Sequence, residues 1–522
     1  MSIFKTSAMV GSLIAVSRFL GFWRDLAVAA LLGTSFAAEA FFVAQRLPNL
    51  FRAIFAEGAF NNSFVPVFTA RLHHDGTEKS FAFAREVLSV LLFYLAAFCV
   101  AAVLAMPWAI VLIAPGFTGK AEQYDLAVEL TQICFPYLLL ISVTSLFAAI
   151  LNAMERFAAS MLAPALMNAV LIGACLYAWW QGYGDTPQSA RILSYAVLLG
   201  GMAQLAIVVF SARRLGVPLL PGMPRLTGQV AGLAKATLPI LIAGGVTQVN
   251  LLVAMALASD TQGGIAYLYY AEKIVDLPWS IIGMALALVL LPELTRALQQ
   301  QTGATQAISL QNRALEMSAI LSIPAALALM VIGEPMVRTI FEHGAFGPTD
   351  TSSVVSVLAA LALGLPALIA VKLLQLTFYA REQTKIPMYC AIAAAAINLV
   401  ASLLLQKSYS YVGIAMAISV AAWANVILLY FVAHSRGVMR LDIRFARNVM
   451  KAIACALVMS LAIWLLSKHV IAQWLASGAG VLLQIAGLTI LAGTGLVLYI
   501  VLMSLAGAVN WSELRAGAKP ET

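Results

Sequence analysis

The chain is a succession of long apolar stretches, separated by short turns that are polar or rich in glycine and proline. A helix needs about 20 apolar residues to cross the hydrocarbon core of a bilayer. By this criterion the pattern predicts fourteen spans, with approximate boundaries 4–32, 36–69, 86–113, 126–152, 158–180, 190–212, 230–258, 265–295, 314–334, 353–379, 386–406, 411–434, 448–469 and 479–507. Several stretches exceed the minimum length, which predicts tilted or kinked helices.

Composition indicates a polytopic all-α membrane protein. Of the 522 residues, 62% are hydrophobic and only 10% are charged, and the mean hydropathy is +0.93. A soluble chain of this length would need far more polar surface, and a disordered chain would be less hydrophobic. Because Arg18, Arg24 and Asp25 interrupt or follow the first apolar stretch, we interpret it as a retained span and not as a cleaved signal peptide.

The positive charges indicate the topology. The net charge is +8, but the basic residues lie in short loops and form no soluble basic module, so we expect no nucleic-acid partner. Twenty Lys and Arg residues fall on the side of the termini and five on the opposite side, while the other six of the 31 lie within spans. The positive-inside rule therefore predicts that both termini are cytoplasmic.

The two halves of the chain resemble each other. Similar features recur at offsets of 226–230 residues, in the pairs Phe42–Arg46 with Tyr269–Lys273, Val65–Thr69 with Leu291–Thr295, Pro107 with Pro335, Pro136 with Pro366, and Asn168 with Asn398. The offset covers six spans, an even number, so the repeat is parallel. It predicts a lobe at 1–225 and a lobe at 226–440 around a central cavity, with spans 13 and 14 and a short cytoplasmic tail at 441–522. Two such lobes are typical of transporters that work by alternating access.

Spans 1 and 2 contain seven charged residues: Arg18, Arg24, Asp25, Glu39, Arg46, Arg52 and Glu57. Each would cost about 2.5–3.5 kcal/mol at a helix centre facing lipid. Four arginines outnumber three acids, and guanidinium groups match phosphate oxygens in a bidentate way. The pattern favours a substrate that carries phosphate or pyrophosphate, with Arg18 and Arg24 as the strongest candidates. Snorkelling at the interface and internal ion pairing are the alternative.

Span 8 carries a second charged group, formed by Glu272, Lys273 and Asp276, with a net charge of −1. Glu272 and Asp276 lie one turn apart on one helix face, and Lys273 reaches Asp276 at i,i+3. The group is either a gate that pairs with arginines of the other lobe or a locally paired cluster near the interface. Lys372 in span 10 is either a cavity cation or a snorkelling residue.

Signatures of an enzyme or a metal site do not occur in the sequence. Zinc-protease, Walker and serine-hydrolase motifs are missing, and the five cysteines form no CxxC pair. A polyprenyl-phosphate transferase would need carboxylate or histidine clusters in its loops to bind Mg²⁺. We therefore expect a transporter and not an enzyme, without cofactor or metal, driven by the membrane potential, an ion gradient or substrate flux.

Several motifs carry a family resemblance. The first is Ser17–Asp25 (SRFLGFWRD); the second consists of Ala40–Ala44 (AFFVA), Leu47–Arg52 (LPNLFR) and Phe55–Phe60 (FAEGAF). Shorter matches follow at Ala114–Phe117, Phe135–Tyr137, Tyr269–Glu272 and Leu291–Pro292. Together they resemble the MurJ (MviN) family of lipid II flippases, within the multidrug/oligosaccharidyl-lipid/polysaccharide exporter superfamily.

The resemblance implies fourteen spans, two six-helix lobes, a cationic cavity, and a groove lined by spans 13 and 14 for a polyprenyl tail. The implied substrate is the undecaprenyl-pyrophosphate-linked disaccharide-pentapeptide of peptidoglycan, moved from the inner to the outer leaflet of the bacterial cytoplasmic membrane. The expected substrate-binding residues are Arg18, Arg24, Asp25, Glu39 and Arg52. The expected gating or coupling residues are Glu57, Glu272, Lys273 and Asp276.

The sequence departs from the family pattern in two places. The family often has Asp where this chain has Glu39, and Asp-Arg with a later Glu where this chain has Glu272, Lys273 and Asp276. Lysine lacks the bidentate geometry of arginine. The alternatives are an exporter of another lipid-linked saccharide and a drug/cation antiporter, for which an acid-rich cavity would be expected. We expect the partners to be the lipid-linked substrate and membrane lipids, and the protein to act as a monomer.

Overall fold

A computed structural model describes residues 3–52, 60–218, 220–299, 303–472, 474 and 480–507. The regular secondary structure of these residues consists of seventeen α-helices and a short 3-10 helix, Pro115–Phe117. In chain order, helices α1 to α17 are Ile3–Leu32, Phe36–Phe51, Phe60–His74, Gly76–Leu104, Met106–Ile113, Ala121–Cys134, Tyr137–Ala153, Ala158–Trp180, Pro187–Arg213, Gly228–Ala258, Gly264–Leu298, Gly303–Phe341, Pro348–Ala362, Leu365–Tyr379, Lys385–Ser435, Ile443–His469 and Val481–Leu505.

The predicted all-α membrane fold is confirmed, and the helices follow the predicted apolar stretches. Within the described ranges, nine helical segments are long and apolar enough to cross a membrane, or ten if α13 and α14, which are bent by 40°, form one broken span. Predicted spans 2, 3, 4 and 10 each correspond to two consecutive helices. The count of fourteen crossings stays a prediction.

Breaks between helices occur where the backbone cannot continue an α-helix. Pro136 caps the start of α7 and Pro366 lies in the first turn of α14, because proline has no N–H to donate inside a helix. Helix α15 is 51 residues long and contains Ser410 at φ 50° and ψ −134°. This kink separates the two spans predicted at 386–406 and 411–434.

Predicted span 2 contains Pro48 and Gly58, residue types that allow a helix to break. Helix α2 ends at Phe51 and α3 begins at Phe60. Pro48 lies inside the last turn of α2. Residues 53–59, which include Glu57 and Gly58, lie outside the described residues.

The chain divides into two compact units. Unit 1 is Met1–Ala266 together with His343–Gly347, and unit 2 is Tyr267–Glu342 together with Pro348–Thr522. The sequence predicted a lobe boundary at residue 225, whereas α10 packs within unit 1 against α3 and α5. The lobe boundaries remain a prediction that rests on the repeat.

Aromatic packing stabilises the part of unit 1 that contains α3, α4 and α7. The ring of Phe64 stacks on those of Phe68 and Phe83, with centroids 5.4 Å and 6.0 Å apart. Fully burying a side chain of this size contributes about 1.5–3 kcal/mol. Elsewhere in unit 1, α8 packs against both α1 and α9, and α2 packs against α6. These contacts position the charged residues of spans 1 and 2.

Two loops of unit 1 dock on helix ends through glycine. The Gly116 N–H donates to Ser259 Oγ at 2.9 Å, and a Cβ on Gly116 would overlap the Ser259 backbone. Similarly, the Ala345 N–H donates to the Ala30 carbonyl at 2.9 Å, and a Cβ on Gly344, at φ +62°, would overlap the same carbonyl. Gly116 and Gly344 are 228 residues apart, which is the offset of the sequence repeat.

Candidate substrate site

Arg24 lies at the centre of a polar network between α1 and α8. Its Nε and Nη2 donate to Asp25 Oδ1 at 3.1 Å and 2.7 Å, and its Nη1 donates to Asn168 Oδ1 at 2.9 Å. Asn168 Nδ2 in turn donates to the Ser17 carbonyl at 3.1 Å. Ser17, Gly21 and Arg24 share one face of α1 because they are four and three residues apart. A Cβ on Gly21 would lie 3.4 Å from Asn168 Nδ2, so glycine leaves room for the amide.

The ion pair at the centre of this network is partly accessible to solvent. The side chains of Arg24 and Asp25 are 24% and 11% exposed, and together they form a neutral ion pair. Arg18 is exposed on the same helix, six residues or about 9 Å along the axis. Arg18, Arg24 and Asp25 together carry a net charge of +1. Asp25 Oδ1 accepts two hydrogen bonds from Arg24.

Glu39 occupies a second polar site in unit 1. It lies in the first turn of α2 and is fully buried. Its Oε2 accepts from Gln123 Nε2 on α6 at 3.0 Å, and its Oε1 accepts from the Ile265 N–H at 3.1 Å. Ile265 belongs to the first turn of α11, where the helix dipole favours a negative charge. This geometry supports a positioning role for Glu39, and its expected part in substrate binding stays a prediction.

The remaining predicted site residues of span 2 are Arg52 and Glu57. Arg52 caps the C-terminal end of α2, is half-buried, and donates from Nε to Asn49 Oδ1 at 3.1 Å. Glu57, for which a gating or coupling role was expected, lies outside the described residues. The structure thus unites Arg24 with Asp25 and with Asn168, and it shows Arg52 in a local contact with its own helix.

The charged group of span 8 lies on α11 in unit 2. Glu272 and Lys273 are half-buried and Asp276 is exposed. Lys273 Nζ lies 4.9 Å from the centroid of the Tyr269 ring, and Lys372 Nζ lies 4.8 Å from that of Trp279. Both are cation–π distances. The choice between gate and local cluster stays open for the acidic pair.

Unit 2 contains an apolar groove that α16 and α17 line together with α11 and α12. Its volume is about 1000 Å³. Apolar side chains cover most of its surface, among them Ile320, Met459, Ile463, Leu491 and Leu496. Helices α16 and α17 correspond to spans 13 and 14, so the groove that the family resemblance implied is present.

One end of the groove is charged. Glu316 Oε1 accepts from Asn448 Nδ2 at 2.7 Å, and its Oε2 lies 3.8 Å from Arg444 Nε. Glu293 and Arg313 line the same groove. An elongated ligand with an apolar chain and a polar end fits this distribution of side chains.

Metal and redox sites are not found among the described residues. No group of three or more His, Cys, Asp or Glu residues there could hold a metal ion. The five cysteines are buried and free.

Comparison with solved structures identifies the fold. The chain resembles a structure titled "Lipid II flippase MurJ, inward closed conformation", with a TM-score of 0.79 at 23% identity, covering 95% of this chain and 98% of the other. It also resembles an inward-facing multidrug resistance MATE family transporter of the MOP superfamily, with a TM-score of 0.67 at 14% identity, covering 82% of this chain and 98% of the other. At these identities the likeness shows the fold alone, an all-helical multi-pass fold that this chain shares with both structures.

Sequence comparison defines the family. The family model described as Lipid II flippase MurJ matches residues 28–483. "Probable lipid II flippase MurJ" of Rhizobium tropici is 38% identical over 523 residues, covering 99% of this chain and 97% of that protein. The protein of the same name from Rhizobium meliloti (strain 1021) is 40% identical over 477 residues, covering 91% and 88%. The chain belongs to the lipid II flippase MurJ family, and the resemblance drawn from its motifs is confirmed.

Sequence reasoning missed the functional context of two amides. Asn168 was recognised only as a point of the repeat, although it hydrogen-bonds Arg24, and Gln123 was not considered. For Asn168 the available signal was an amide in an otherwise apolar helix, because buried polar side chains need partners. Gln123 lies among several polar residues of α6, so no such signal marked it. What the sequence could not supply was the partner, since Asn168 and Arg24 are 144 residues apart.

Proposed function

We propose that this chain is a lipid II flippase, which moves the undecaprenyl-pyrophosphate-linked disaccharide-pentapeptide from the inner to the outer leaflet of the bacterial cytoplasmic membrane. Membership of the family and the names of its relatives support the substrate. The observation that carries the proposal is the arginine site of α1, in which Arg24 is held by Asp25 and Asn168 while Arg18 adds a positive charge.

The chemistry of the substrate explains why such a site is needed. A pyrophosphate is a dense anion, and its transfer into hydrocarbon without partners would cost far more than binding can supply. Arginine replaces the lost hydration with charge-assisted hydrogen bonds. Because Arg24 is already oriented by Asp25 and Asn168, less side-chain entropy is lost when an anion binds. We assign pyrophosphate binding to Arg18 and Arg24.

The polyprenyl chain needs no polar site of its own. It stays in the bilayer or lies along the apolar groove of unit 2, where Leu491 and Ile463 contribute to the walls. The groove suits the apolar part of the substrate, and the arginine site suits its anionic part. We propose that transport involves no covalent step and that the protein acts as a monomer.

Alternating access by the two repeats would move the head group across the membrane, with both termini in the cytoplasm. The membrane potential is one source of energy, because expelling an anion from a negative interior is favourable by about 2.3 kcal/mol per charge per 100 mV. An ion gradient is the other. Glu272, Lys273 and Asp276 are assigned to gating or coupling, and so is Glu57, which lies outside the described residues.

Reconstitution tests this function directly. Purified protein is placed in liposomes that contain fluorescently labelled lipid II, and the fraction exposed to a membrane-impermeant reagent is followed with time. We expect exposure to rise above that in protein-free liposomes, while labelled phosphatidylcholine in the same vesicles stays inaccessible and the mass of lipid II stays unchanged. Equal exposure with and without protein would refute flipping, and a changed mass of lipid II would indicate an enzyme.

A further inference from the structure

The linker between α9 and α10 has a regular sequence pattern without regular secondary structure. It comprises residues 214–227, of which 214–218 and 220–227 are described. Prolines recur every third residue, at Pro218, Pro221 and Pro224. Three residues is the period of the polyproline II conformation, which proline-rich segments favour and which stiffens them. The linker is therefore a stiff segment more than a flexible tether.

Hydrogen bonds fix the linker to the first part of α4. They run from Arg85 Nε to the Leu220 carbonyl at 3.1 Å, from the Gly222 N–H to Ser89 Oγ at 2.7 Å, and from the Thr227 hydroxyl to Glu86 Oε2 at 3.0 Å. The three partners on α4 lie within residues 85–89, little more than one helical turn. The linker thus crosses α4 at one defined level.

That level is the boundary between the polar and apolar parts of α4. Residues 76–86 include Glu78, Lys79, Arg85 and Glu86, whereas residues 87–104 contain no charged residue. A helix that crosses a bilayer changes from polar to apolar where it enters the hydrocarbon. The linker is therefore held at the depth of the lipid head groups and the first acyl carbons.

The linker directs apolar side chains away from the protein. Leu220, Met223 and Leu226 are 76%, 78% and 60% exposed. They are spaced by three residues, which is the spacing of side chains on one side of a polyproline II helix. Exposed apolar side chains on a protein surface mark a contact with another apolar phase or partner.

The charges around these side chains are predominantly positive, with Asp75, Glu78 and Glu86 at the adjacent end of α4 as acidic exceptions. Residues 213–235 contain Arg213, Arg214, Arg225 and Lys235 and no Asp or Glu, and all four are exposed. Lys79 and Arg85 are exposed on the adjacent end of α4. Basic residues next to interfacial apolar ones match a bilayer surface that carries anionic head groups.

We propose that the linker is an interfacial membrane anchor, in which Leu220, Met223 and Leu226 enter the head-group region while the surrounding arginines and lysines bind anionic phospholipid. The depth of the linker on α4 selects the bilayer as the occupant, since lipid is adjacent wherever this helix crosses. The anchor holds the connection between the two repeats at the membrane surface, and it requires no assumption about the transported substrate.

Fluorescence quenching of the full-length protein in vesicles tests the anchor. Met223→Cys is labelled with a small environment-sensitive fluorophore, and the native cysteines are buried. Asp185→Cys, in the exposed turn at the opposite end of α9, is the matched control. Vesicles of phosphatidylcholine alone or with phosphatidylglycerol contain a lipid with a spin label near its head group.

We expect the spin-labelled lipid to quench the label at position 223 several-fold more than the label at 185, and more strongly with phosphatidylglycerol present. Arg214→Gln and Arg225→Gln together should remove the phosphatidylglycerol effect, since each arginine near an anionic surface changes partition about fivefold. Equal quenching of both positions by aqueous iodide, without quenching by lipid, would overturn the proposal. Quenching by the spin-labelled lipid that is equally strong with and without phosphatidylglycerol would overturn the role of the charges.

Discussion

Replacing Asn168 by leucine removes the uncharged partner of Arg24 and leaves the Arg24–Asp25 ion pair in place. The substitution deletes the hydrogen bond from Arg24 Nη1 at 2.9 Å and the hydrogen bond to the Ser17 carbonyl at 3.1 Å. Leucine has the same branched arrangement of side-chain heavy atoms as asparagine, and Asn168 is 7% exposed. The change is therefore mainly a loss of polar contacts in a side chain of similar shape.

The magnitude follows from the two bonds. A hydrogen bond to a charged group contributes about 1.5–3 kcal/mol and a neutral one about 1 kcal/mol. Water can reach Arg24, whose side chain is 24% exposed, and the leucine side chain gains hydrophobic burial. We expect a net loss of about 2–3 kcal/mol. For a chain of this length the apparent Tm should fall by about 2–3 °C.

Thermal unfolding of the detergent-solubilised protein measures this loss. The control is Gln204→Leu on α9, where a buried amide loses one neutral bond, from the Tyr137 hydroxyl at 3.2 Å. The control should lose about 1 kcal/mol and keep full transport, whereas Asn168→Leu should lose stability and lipid II transport together. Equal effects of both variants on transport would refute the view that Asn168 orients Arg24.

Three further predictions concern other parts of the structure. Glu39→Gln should destabilise the fold by about 2 kcal/mol, because the N–H₂ group of the new glutamine side chain would face a donor, either Gln123 Nε2 or the Ile265 N–H. A lower apparent Tm would show this loss. Gly116→Ala should lower the apparent Tm because its Cβ would overlap the Ser259 backbone, while Gly119→Ala, in open space, should not. Gly495→Trp should obstruct the groove and weaken the binding of undecaprenyl phosphate, measured by fluorescence titration. Gly493→Trp, where a Cβ would have no neighbour within 4 Å, should bind as the unchanged protein does. Equal affinities of the two variants would argue against the groove.

The sequence predicts the helical architecture well because the bilayer imposes a simple rule on length and polarity. It also locates Arg24 and Asp25, since charged residues within an apolar stretch are conspicuous. The division of predicted spans 3, 4 and 10 into two helices each is harder to predict, although Pro107, Pro136 and Pro366 lie at the breaks. A proline shows where a helix can end or bend, but which of the two occurs depends on how the adjoining helices pack.

The long-range partners of the site could not be predicted. Glu39 is the clearest case, because nothing in the sequence connects it with Gln123 or with the Ile265 N–H, its hydrogen-bond partners in the structure. A helix N-terminus brought close by tertiary packing can satisfy a carboxylate as well as water can. Spacing along one helix carries no information about such partners.

The most direct test is the affinity of the purified protein for undecaprenyl pyrophosphate compared with uncharged undecaprenol. If Arg24 and Arg18 bind the diphosphate, Arg24→Gln should weaken binding of the pyrophosphate lipid about tenfold or more, since a charge-assisted bond contributes about 1.5–3 kcal/mol. Binding of undecaprenol should not change, and the exposed Arg436→Gln should leave both affinities unaltered. Unchanged affinity of Arg24→Gln for the pyrophosphate lipid would contradict the cationic site.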